Sequence, residues 1–424
     1  MSISSSYRRG LLVAGSFAFL TAAAAQQPPA PAPSGPPGFS PMDQTKVDKS
    51  NQDANLKPHP VSPLATPVDK IPVDKIKLPR GFKAEVWSSG HPGGRTMVMG
   101  DKGTLFMGTR VIGRVYAITD KGGKREAKVL LQGLTQPNGL AFANGSLYVF
   151  AINRVFRYDN IEDHLDKAPE PVELTKNYNL PDTIHHNWKY VAIGPDGKMY
   201  VQVGSNCNIC ETNPGIHGQI RRYNLDGTGQ EIVARGIRNT VGFDWHPVTH
   251  ELWFNDNGRD WAGNGGPEDE LNRIPKDMEG ASFGFPYCHA MGIPDPDVRR
   301  PNPCAGVVMP AALLGPHAAG LGLKFYTGDM FPKKYKNQAF IARHGSWNRE
   351  QKFVYDVVVA RIRGGKATIE PFMEGLLNTD KNEQYGRPAY VFQMKDGSLL
   401  VSDENNGATY RISYSAKNAK QAQR

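Results

Sequence analysis

Two short stretches of the sequence carry side chains suited to acid–base and anion chemistry. His186 lies directly before the apolar run that begins at Val191, and a neutral imidazole at such a place can act as a base. Arg238 and Asn239 precede another apolar run, where a planar guanidinium and an amide suit a carboxylate or a carbonyl oxygen. A loop histidine bonded to backbone and a surface ion pair are the simpler interpretations of these residues taken singly.

A third stretch is rich in oxygen donors. Residues 254–260 and 267–272 hold several Asp, Asn and Glu side chains, with Gly258 available for a sharp turn and Asp269 in the second segment. Oxygen donors of this kind suit a hard cation such as Ca²⁺. The ordered spacing of an EF-hand loop is missing, so an acidic loop that faces solvent stays an alternative.

Further cationic side chains follow near the end of the chain. Arg387 stands ahead of an apolar run, while Arg343 and Arg349 lie after the run that precedes it. Together with the first two stretches, these residues predict a basic cavity that contains a metal cation and a histidine base. Such a cavity would suit a polyanionic cofactor.

Loops of separate structural units must bring these residues together, and the sequence repeats in a way that predicts such units. A turn that usually contains Gly, often Asp-Gly, precedes a short apolar run near residues 101, 144, 196, 247, 336 and 396. Repeats of about 40–50 residues with several strands each are typical of β-propeller blades. The sequence therefore predicts an all-β fold, a six-bladed β-propeller over residues 77–415, with an insertion between 247 and 336. Sustained repetition disfavours a two-sheet sandwich, and propellers bind ligands on loops at one end of the channel.

Composition and charge narrow the class of protein. The 45 glycines and 33 prolines among 424 residues favour a turn-rich β protein. The net charge is +9, but the Lys and Arg residues are scattered among acids without a basic stripe interleaved with aromatic residues, which excludes nucleic-acid binding. No apolar run reaches the roughly 18 residues of a membrane span, so no stable membrane insertion is expected.

The two ends of the chain differ from the repeated region. Residues 1–25 contain Arg8 and Arg9, then a short apolar stretch, then a run of small residues that could form a cleavage site. This order is typical of a signal peptide. Residues 26–76 are Pro-rich, which predicts a poorly ordered tether, and residues 416–424 form a basic tail. The protein is therefore expected to be periplasmic or secreted.

The four cysteines are expected to be oxidised in that compartment. Cys207–Cys210 and Cys288–Cys304 are the favoured disulfides. A redox-active Cys207–Cys210 pair stays an alternative. Haem attachment is excluded, because Glu211 stands where it requires His.

Several segments taken jointly resemble one known family. They include His186, the Arg238-Asn239 pair and the ranges 257–260, 268–272, 283–286, 323–328, 344–349 and 386–388. From about Leu78 to Tyr414 the chain resembles the soluble quinoprotein sugar dehydrogenases of the glucose/sorbosone dehydrogenase family. It is most similar to the branch called L-sorbosone dehydrogenase-like.

This resemblance implies a propeller that binds pyrroloquinoline quinone (PQQ) with calcium. His186 would take the hydroxyl proton of the substrate while a hydride passes to the quinone, and Arg238 would stabilise the developing charge. The backbone carbonyl groups of Gly258 and Arg259 would hold the calcium ion. The cofactor contacts would come from Asn239, Asp269, Arg387 and one or both of Arg343 and Arg349.

Two departures from the family pattern bear on the substrate. Ser205 occupies the place where glucose-oxidising members have an acidic residue that supports the base, and Ala389 replaces a second Arg. Glucose is therefore disfavoured. The expected function is a PQQ- and calcium-dependent oxidoreductase that oxidises an aldose or a sorbosone-like aldehyde sugar and reduces an unidentified periplasmic electron acceptor. A calcium-dependent propeller lactonase or other hydrolase, and a non-catalytic propeller that binds a sugar or a protein, stay alternatives.

Overall fold

The computed structural model describes residues 51–417. Within that range the chain forms six four-stranded antiparallel sheets, which we call blades 1 to 6. The first strands of neighbouring blades contact one another around a ring; Gly94–Met99, for example, contacts both Gly139–Ala143 and Pro388–Gln393. This six-bladed β-propeller confirms the predicted all-β fold.

The strands of each blade run from the innermost to the outermost in the following order. Blade 1 contains Gly94–Met99, Leu105–Thr109, Arg114–Lys121 and Lys124–Gln132. Blade 2 contains Gly139–Ala143, Ser146–Ala151, Arg154–Tyr158 and Val172–Glu173. Blade 3 contains Val191–Ile193, Met199–Val203, Gln219–Tyr223 and Glu231–Arg235. Blade 4 contains Phe243–Trp245, Leu252–Asp256, Glu268–Arg273 and Ala312–Pro316. Blade 5 contains Gly320–Phe325, Ala339–Arg343, Asp356–Arg363 and Lys366–Met373. Blade 6 contains Pro388–Gln393, Leu399–Asp403, Ala408–Tyr414 and Phe82–Ser89.

Shorter elements connect the blades. Two-stranded ribbons pair Cys288–His289 with Ile293–Pro294 and Leu377–Asn378 with Glu383–Gln384. The described helices are an α-helical turn at Thr175–Tyr178 and 3₁₀ turns at Val68–Lys70, Val73–Lys75, Ile161–Asp163 and Lys333–Tyr335. None of the helices in residues 51–417 is both long and apolar enough to cross a membrane.

The six predicted turns each connect the first strand of a blade to the second. In blade 3, Gly197 adopts φ +74°, a conformation that side chains with a Cβ rarely take, and Asp196 Oδ1 accepts the N–H of Lys198 at 3.1 Å. The second strands that follow are almost entirely buried, whereas the outermost strand Lys124–Gln132 alternates between exposed and half-buried residues. The repeated turn-and-strand pattern therefore reflects the innermost, most buried part of each blade.

Large apolar side chains fill the spaces between blades. Phe340 of blade 5 and Val401 of blade 6 belong to one buried cluster, which also includes Ile71 from the segment before the first strand. Truncation of such a side chain, as in Phe340→Ala, would cost about 3–5 kcal/mol. Phe82–Ser89 completes blade 6 by pairing with Ala408–Tyr414, so the ring is closed by joining the two ends of the propeller region.

Both predicted disulfides are present. Cys207–Cys210 closes a short loop after the second strand of blade 3, and Cys288–Cys304 lies in the predicted insertion, between the third and fourth strands of blade 4. The insertion therefore extends a loop of blade 4 and adds no further blade.

The expectation of a poorly ordered tether over 26–76 does not hold for its described part. Residues 51–66, which we call the N-terminal strap, are bonded to three loops of the propeller. Asn51 Nδ2 donates to Asn348 Oδ1 at 2.8 Å, His59 Nε2 lies 2.9 Å from Tyr355 Oη, and Thr66 Oγ1 donates to Asn406 Oδ1 at 2.8 Å. Residues 1–50 and 418–424, which include the predicted signal peptide, about half of the predicted tether and most of the predicted tail, lie outside the described residues.

Candidate active site

A cavity of about 590 Å³ lies at one end of the propeller. Most of its wall comes from loops that lead into first strands or leave second strands, and the rest comes from first strands, from Asp269 of a third strand and from residues 58–61. Because the two strands are antiparallel, the start of the first and the end of the second lie at the same edge of a blade. The ionisable side chains in the wall are Arg95, Arg110, Arg238, Arg387, His59, His185, His186, His317, His344, Asp260, Asp269 and Glu404. Of the residues predicted from sequence, His186, Arg238, Asn239, Gly258, Asp269 and Arg387 all reach this cavity.

His186 is buried in the cavity wall with one ring nitrogen held by Ser205. The Nδ1 atom lies 2.8 Å from Ser205 Oγ, and Ser205 Oγ donates its only proton to the carbonyl oxygen of Cys207 at 2.8 Å. Ser205 must therefore accept the hydrogen bond from His186, so the proton of the neutral ring sits on Nδ1. The Nε2 atom is left with a free lone pair, which is the form of imidazole that can take up a proton.

The surroundings keep this ring neutral. Burial, followed by the charges of Arg238 and Arg110 and by His185, lowers the pKa of His186 well below its ordinary value. A neutral ring at physiological pH is available as a base, and its conjugate acid readily gives the proton up again. The main chain at His186 adopts φ +50°, an uncommon conformation for a residue with a side chain.

Arg238 is fixed by a dense set of acceptors. Its Nε donates to Asn208 O at 2.8 Å, its Nη1 to Asn257 O at 3.1 Å, and its Nη2 to Asn208 Oδ1 at 2.7 Å and to Asp260 Oδ2 at 3.0 Å. Four of its five N–H groups are therefore occupied, and one on Nη1 is left for a ligand. Its side chain is oriented before any ligand arrives.

Arg387 and Arg95 flank a buried acid at the opposite side of the cavity. Arg387 Nε donates to the carbonyl oxygen of His344 at 3.2 Å, while Arg95 Nη1 lies 3.5 Å from Glu404 Oε1. Burial opposes ionisation of Glu404, but the charge of Arg95 and the contact with His344 outweigh it and lower the pKa of Glu404. This carboxylate is charged and neutralises only one of the two guanidinium groups.

Arg110 adds a further cation on the wall. Its guanidinium carbon lies 3.8 Å from the ring centroid of Trp188. Burial, followed by repulsion from Arg95, lowers the pKa of Arg110 to about 10, so the side chain is still charged at neutral pH. The cavity is thus basic, as the sequence predicts.

The loop that contains Gly258 is held by the carboxylate of Asp269, which accepts backbone N–H groups. Asp269 Oδ1 accepts the N–H of Gly258 at 2.7 Å and Oδ2 accepts the N–H of Ala319 at 2.6 Å. Asp269, predicted as a cofactor contact, therefore uses both oxygens on the protein itself, and burial raises its pKa to about 7. The Arg259 side chain turns away to bond Asp295 and Asp297, each at 2.8 Å. Among residues 51–417, no group of three or more His, Cys, Asp or Glu side chains could hold a metal ion.

Two predicted cofactor contacts are not part of the cavity wall. Arg343 forms a bidentate ion pair with Asp356 of blade 5 and donates to the carbonyl oxygen of Leu314 of blade 4 at 2.9 Å, so it joins these two blades. Arg349 lies over the ring of Phe353, with 4.8 Å between the guanidinium carbon and the ring centroid. Neither residue lines the cavity, so this arrangement gives no support to the expectation that one or both of them contact the cofactor.

Sequence reasoning missed Arg95, Arg110, Glu404 and the strap. Arg110 follows a second strand and Arg95 opens a first strand, which are the positions of other site residues, so the blade repeat contained a signal for both. The strap had no such signal, because its Pro-rich composition is also that of a linker. Its residues Pro58 to Val61 line the cavity, which they roof on one side.

Several buried polar atoms around the cavity have no partner within the described part of the chain. They are Arg110 Nε, Trp188 Nε1, Asn239 Oδ1 and Asn257 Oδ1. Because buried polar groups are nearly always paired in folded proteins, these atoms indicate groups that a ligand would satisfy. Three or more cations with unused donors fit a tricarboxylate such as PQQ, and the amide oxygen of Asn257 beside Gly258 fits a hard cation.

The chain matches one family model and is similar in sequence to several known proteins. The family described as TrAA12-like matches residues 76–415. An uncharacterised protein of Borreliella burgdorferi is 31% identical over 355 residues, which cover 80% of this chain and 91% of that protein. Pyrroloquinoline quinone-dependent pyranose dehydrogenase of Coprinopsis cinerea is 26% identical over 298 residues, 55% of this chain and 39% of that enzyme.

Solved structures show the same fold. An iodide structure of a Trichoderma reesei protein of carbohydrate-active enzyme family AA12 superposes with a TM-score of 0.67 at 19% identity, covering 80% of this chain and 98% of that one. The holo PQQ domain of the Coprinopsis cinerea pyranose dehydrogenase gives a TM-score of 0.63 at 19% identity, covering 80% and 97%. The family match begins at residue 76, after the strap, and the similarity to the sorbosone branch stays a prediction.

Proposed function

The chain belongs to the TrAA12-like family, and from that premise we propose that it is an oxidoreductase that oxidises a sugar with PQQ as its cofactor. The name of the pyranose dehydrogenase relative supports both the sugar substrate and the cofactor. The charge of the cavity supports the same cofactor, because a tricarboxylate requires several cations at close range.

The hydrogen bonds of His186 carry this proposal. Ser205 fixes the proton on Nδ1, and Nε2 is free to take the proton of a substrate hydroxyl group. PQQ, when bound, supplies the carbonyl carbon that accepts the hydride of the substrate. Removal of the hydroxyl proton by His186 would raise the electron density on the carbon that bears this hydroxyl group, and so would favour departure of the hydride from that carbon.

The arginines would bind and polarise the cofactor. Arg238 has one unused N–H group that would stabilise negative charge on a quinone oxygen. Arg387, Arg110 and Arg95 would pair with carboxylates, and the orphaned amide of Asn239 would complete the contacts. Arg238, Arg387 and Arg110 are already oriented by the protein, which reduces the cost of reorganisation on binding.

Calcium is proposed as the second component of the site. The backbone carbonyl groups of Gly258 and Arg259 would hold it, and the unpaired Oδ1 of Asn257 supports an additional oxygen ligand. Neutral oxygen ligands suit this arrangement, since the carboxylates of Asp256 and Asp269 already accept backbone N–H groups.

The substrate and location remain as proposed from sequence. We expect an aldose or an aldehyde sugar, oxidised as its hydrate, and a periplasmic or secreted protein that passes electrons to an unidentified acceptor. The lactonase and the non-catalytic propeller are outcomes of the following test.

The test is reconstitution of purified protein with PQQ and calcium, followed by sugar-dependent reduction of an artificial electron acceptor. His186→Ala should lower turnover by about 10²–10⁴-fold, the usual contribution of a general base, with PQQ binding retained. The control is His250→Ala, because His250 is exposed in the turn between the first and second strands of blade 4 and does not line the cavity. Equal turnover of H186A and the wild type would remove His186 from the mechanism, while lactone hydrolysis without PQQ would replace the proposal by a hydrolase.

A further inference from the structure

The loop closed by Cys207 and Cys210 bonds directly to Arg238 and, through Ser205, to His186. The carbonyl oxygen of Cys207 accepts the proton of Ser205 Oγ and thereby orients His186. The carbonyl oxygen and the Oδ1 atom of Asn208 accept from Arg238 at 2.8 and 2.7 Å. Two consecutive residues, Cys207 and Asn208, therefore supply acceptors that hold the guanidinium of Arg238 and the Ser205 hydroxyl group that bonds the base.

The same loop also bonds to Asp260, which lies in the loop after the second strand of blade 4. Asn208 Nδ2 donates to the carbonyl oxygen of Asp260 at 3.0 Å, and Asn208 Oδ1 accepts the N–H of Asp260 at 2.9 Å. Asp260 in turn accepts from Arg238. Asn208 thus connects blade 3 to the oxygen-rich loop of blade 4 with a paired amide contact.

The position of these carbonyl groups depends on a short loop outside any strand. Residues 206–216 have no regular secondary structure, so few ladder hydrogen bonds hold them in place. The Cys207–Cys210 bond closes the loop around these acceptors, since one of them belongs to Cys207 itself and the others to the adjacent Asn208. Both cysteines are half-buried, so a small dithiol can reach the bond.

We propose that the Cys207–Cys210 disulfide loop is a positioning element that holds His186 and Arg238 in their reactive orientations, and that reduction of this bond lowers turnover. This inference rests on the proposed function, since it assigns a role to a loop of the same site. Reduction takes two electrons and two protons from an added dithiol, which becomes a disulfide while Cys207 and Cys210 become thiols. Ser205 is the positioning residue through which the loop acts on His186.

The first test measures the tautomer of His186 and needs no cofactor. In ¹⁵N-histidine-labelled protein, the wild type should show His186 as the Nδ1–H form, with the resonance assigned by its loss in His186→Gln. Ser205→Ala and the double variant Cys207→Ser, Cys210→Ser should both shift the ring toward a mixture of tautomers. Ser205→Thr, which keeps the hydroxyl group, should restore the Nδ1–H form. An unchanged tautomer in the double variant would overturn the positioning role of the loop, and an unchanged tautomer in S205A would overturn the role of Ser205.

The second test measures turnover of the reconstituted enzyme in the presence of dithiothreitol. Misplacement of catalytic groups by about 1 Å can cost roughly a hundredfold, so we expect kcat to fall between tenfold and a hundredfold with a smaller change in KM. The variant Cys288→Ser, Cys304→Ser, which keeps only the bond in question, should lose activity on reduction to the same extent. The double variant at Cys207 and Cys210 should be slow already and insensitive to the reductant.

The outcomes separate the two proposals. If no sugar is oxidised by any form of the protein, the proposed function fails, and the tautomer measurement still decides whether the loop positions His186. If sugar is oxidised equally fast by the wild type, the reduced protein and the variant without Cys207 and Cys210, the function stands and the positioning role of the loop is wrong.

Discussion

Arg110 lies over the indole ring of Trp188, with its guanidinium carbon 3.8 Å from the ring centroid and its Nε atom without a partner in the described chain. Stacking fixes the plane of the guanidinium while it leaves N–H groups free at the cavity. Arg110 is therefore a cation with donors available to a ligand.

Replacement of Arg110 should weaken PQQ binding. Arg110→Ala removes a charge-assisted hydrogen bond, which is worth about 1.5–3 kcal/mol and corresponds to roughly ten- to a hundredfold in Kd. An absorption titration of the purified protein with PQQ measures this change. Arg154→Ala is the matched control, because Arg154 also lies over an aromatic ring, that of Phe156, but on the exposed surface of blade 2. Similar losses in both variants would contradict the assignment.

Replacement by Ala should lower PQQ affinity at Arg387 but the free energy of unfolding at Arg343. Arg387→Ala should weaken PQQ binding, since this side chain faces the cavity. Arg343→Ala should leave the Kd for PQQ within about twofold and lower the free energy of unfolding by about 3 kcal/mol, because it leaves the buried carboxylate of Asp356 unpaired. The titration, together with urea unfolding, tests both statements. Loss of PQQ affinity in R343A without loss of stability would restore Arg343 to the site.

The N-terminal strap should open when His59 is replaced. Tyr355 donates its only proton to the carbonyl oxygen of Ser346, so His59 Nε2–H donates to Tyr355 Oη, and Nδ1 lies 3.2 Å from Gln384 Nε2 as an acceptor. Loss of both bonds in His59→Ala should cost about 1 kcal/mol each, which predicts roughly tenfold or greater acceleration of amide hydrogen exchange in residues 56–64. Ser62→Ala is the control, since Ser62 bonds only within the strap to Leu64. Equal exchange in H59A and the wild type would show that His59 does not anchor the strap.

Buried neutral histidines should make the fold sensitive to acid. Burial lowers the pKa of His91 to about 4, whereas the unfolded chain titrates near 6.5. Between these values the unfolded state binds one more proton than the folded state. The free energy of unfolding therefore keeps its full value above about pH 6.5 and decreases as the pH drops toward 4. His59 and His344, with pKa values lowered by burial to about 4 and about 3, contribute in the same direction.

His91→Gln isolates one of these contributions. His91 is fully buried beside Ser88 and is not part of the cavity wall. The variant should reduce the pH dependence of the unfolding free energy between pH 6.5 and 4 by about 1.4 kcal/mol per pH unit, the value for one proton. Denaturant unfolding at several pH values measures the slope, and identical slopes in H91Q and the wild type would exclude His91 as a contributor.

The sequence by itself determined the architecture and the convergence of the main site residues. The turn-and-strand repeat predicts six blades, and every blade places the start of its first strand and the end of its second at the same edge. His186, Arg238, Gly258 and Arg387 stand at such positions along the chain, so their meeting at one cavity follows from local pattern and closure of the ring.

Tertiary structure alone decided how each side chain is used. Arg343 ends a strand and Arg238 follows one, but packing brings Asp356 to the first and the Cys207–Cys210 loop to the second. Likewise, the tautomer of His186 depends on where the Ser205 proton goes, and the strap roofs the cavity through contacts more than 290 residues apart in sequence. Pairing of charges and buried polar groups depends on which partners the fold brings within about 3 Å, and no local pattern encodes that distance.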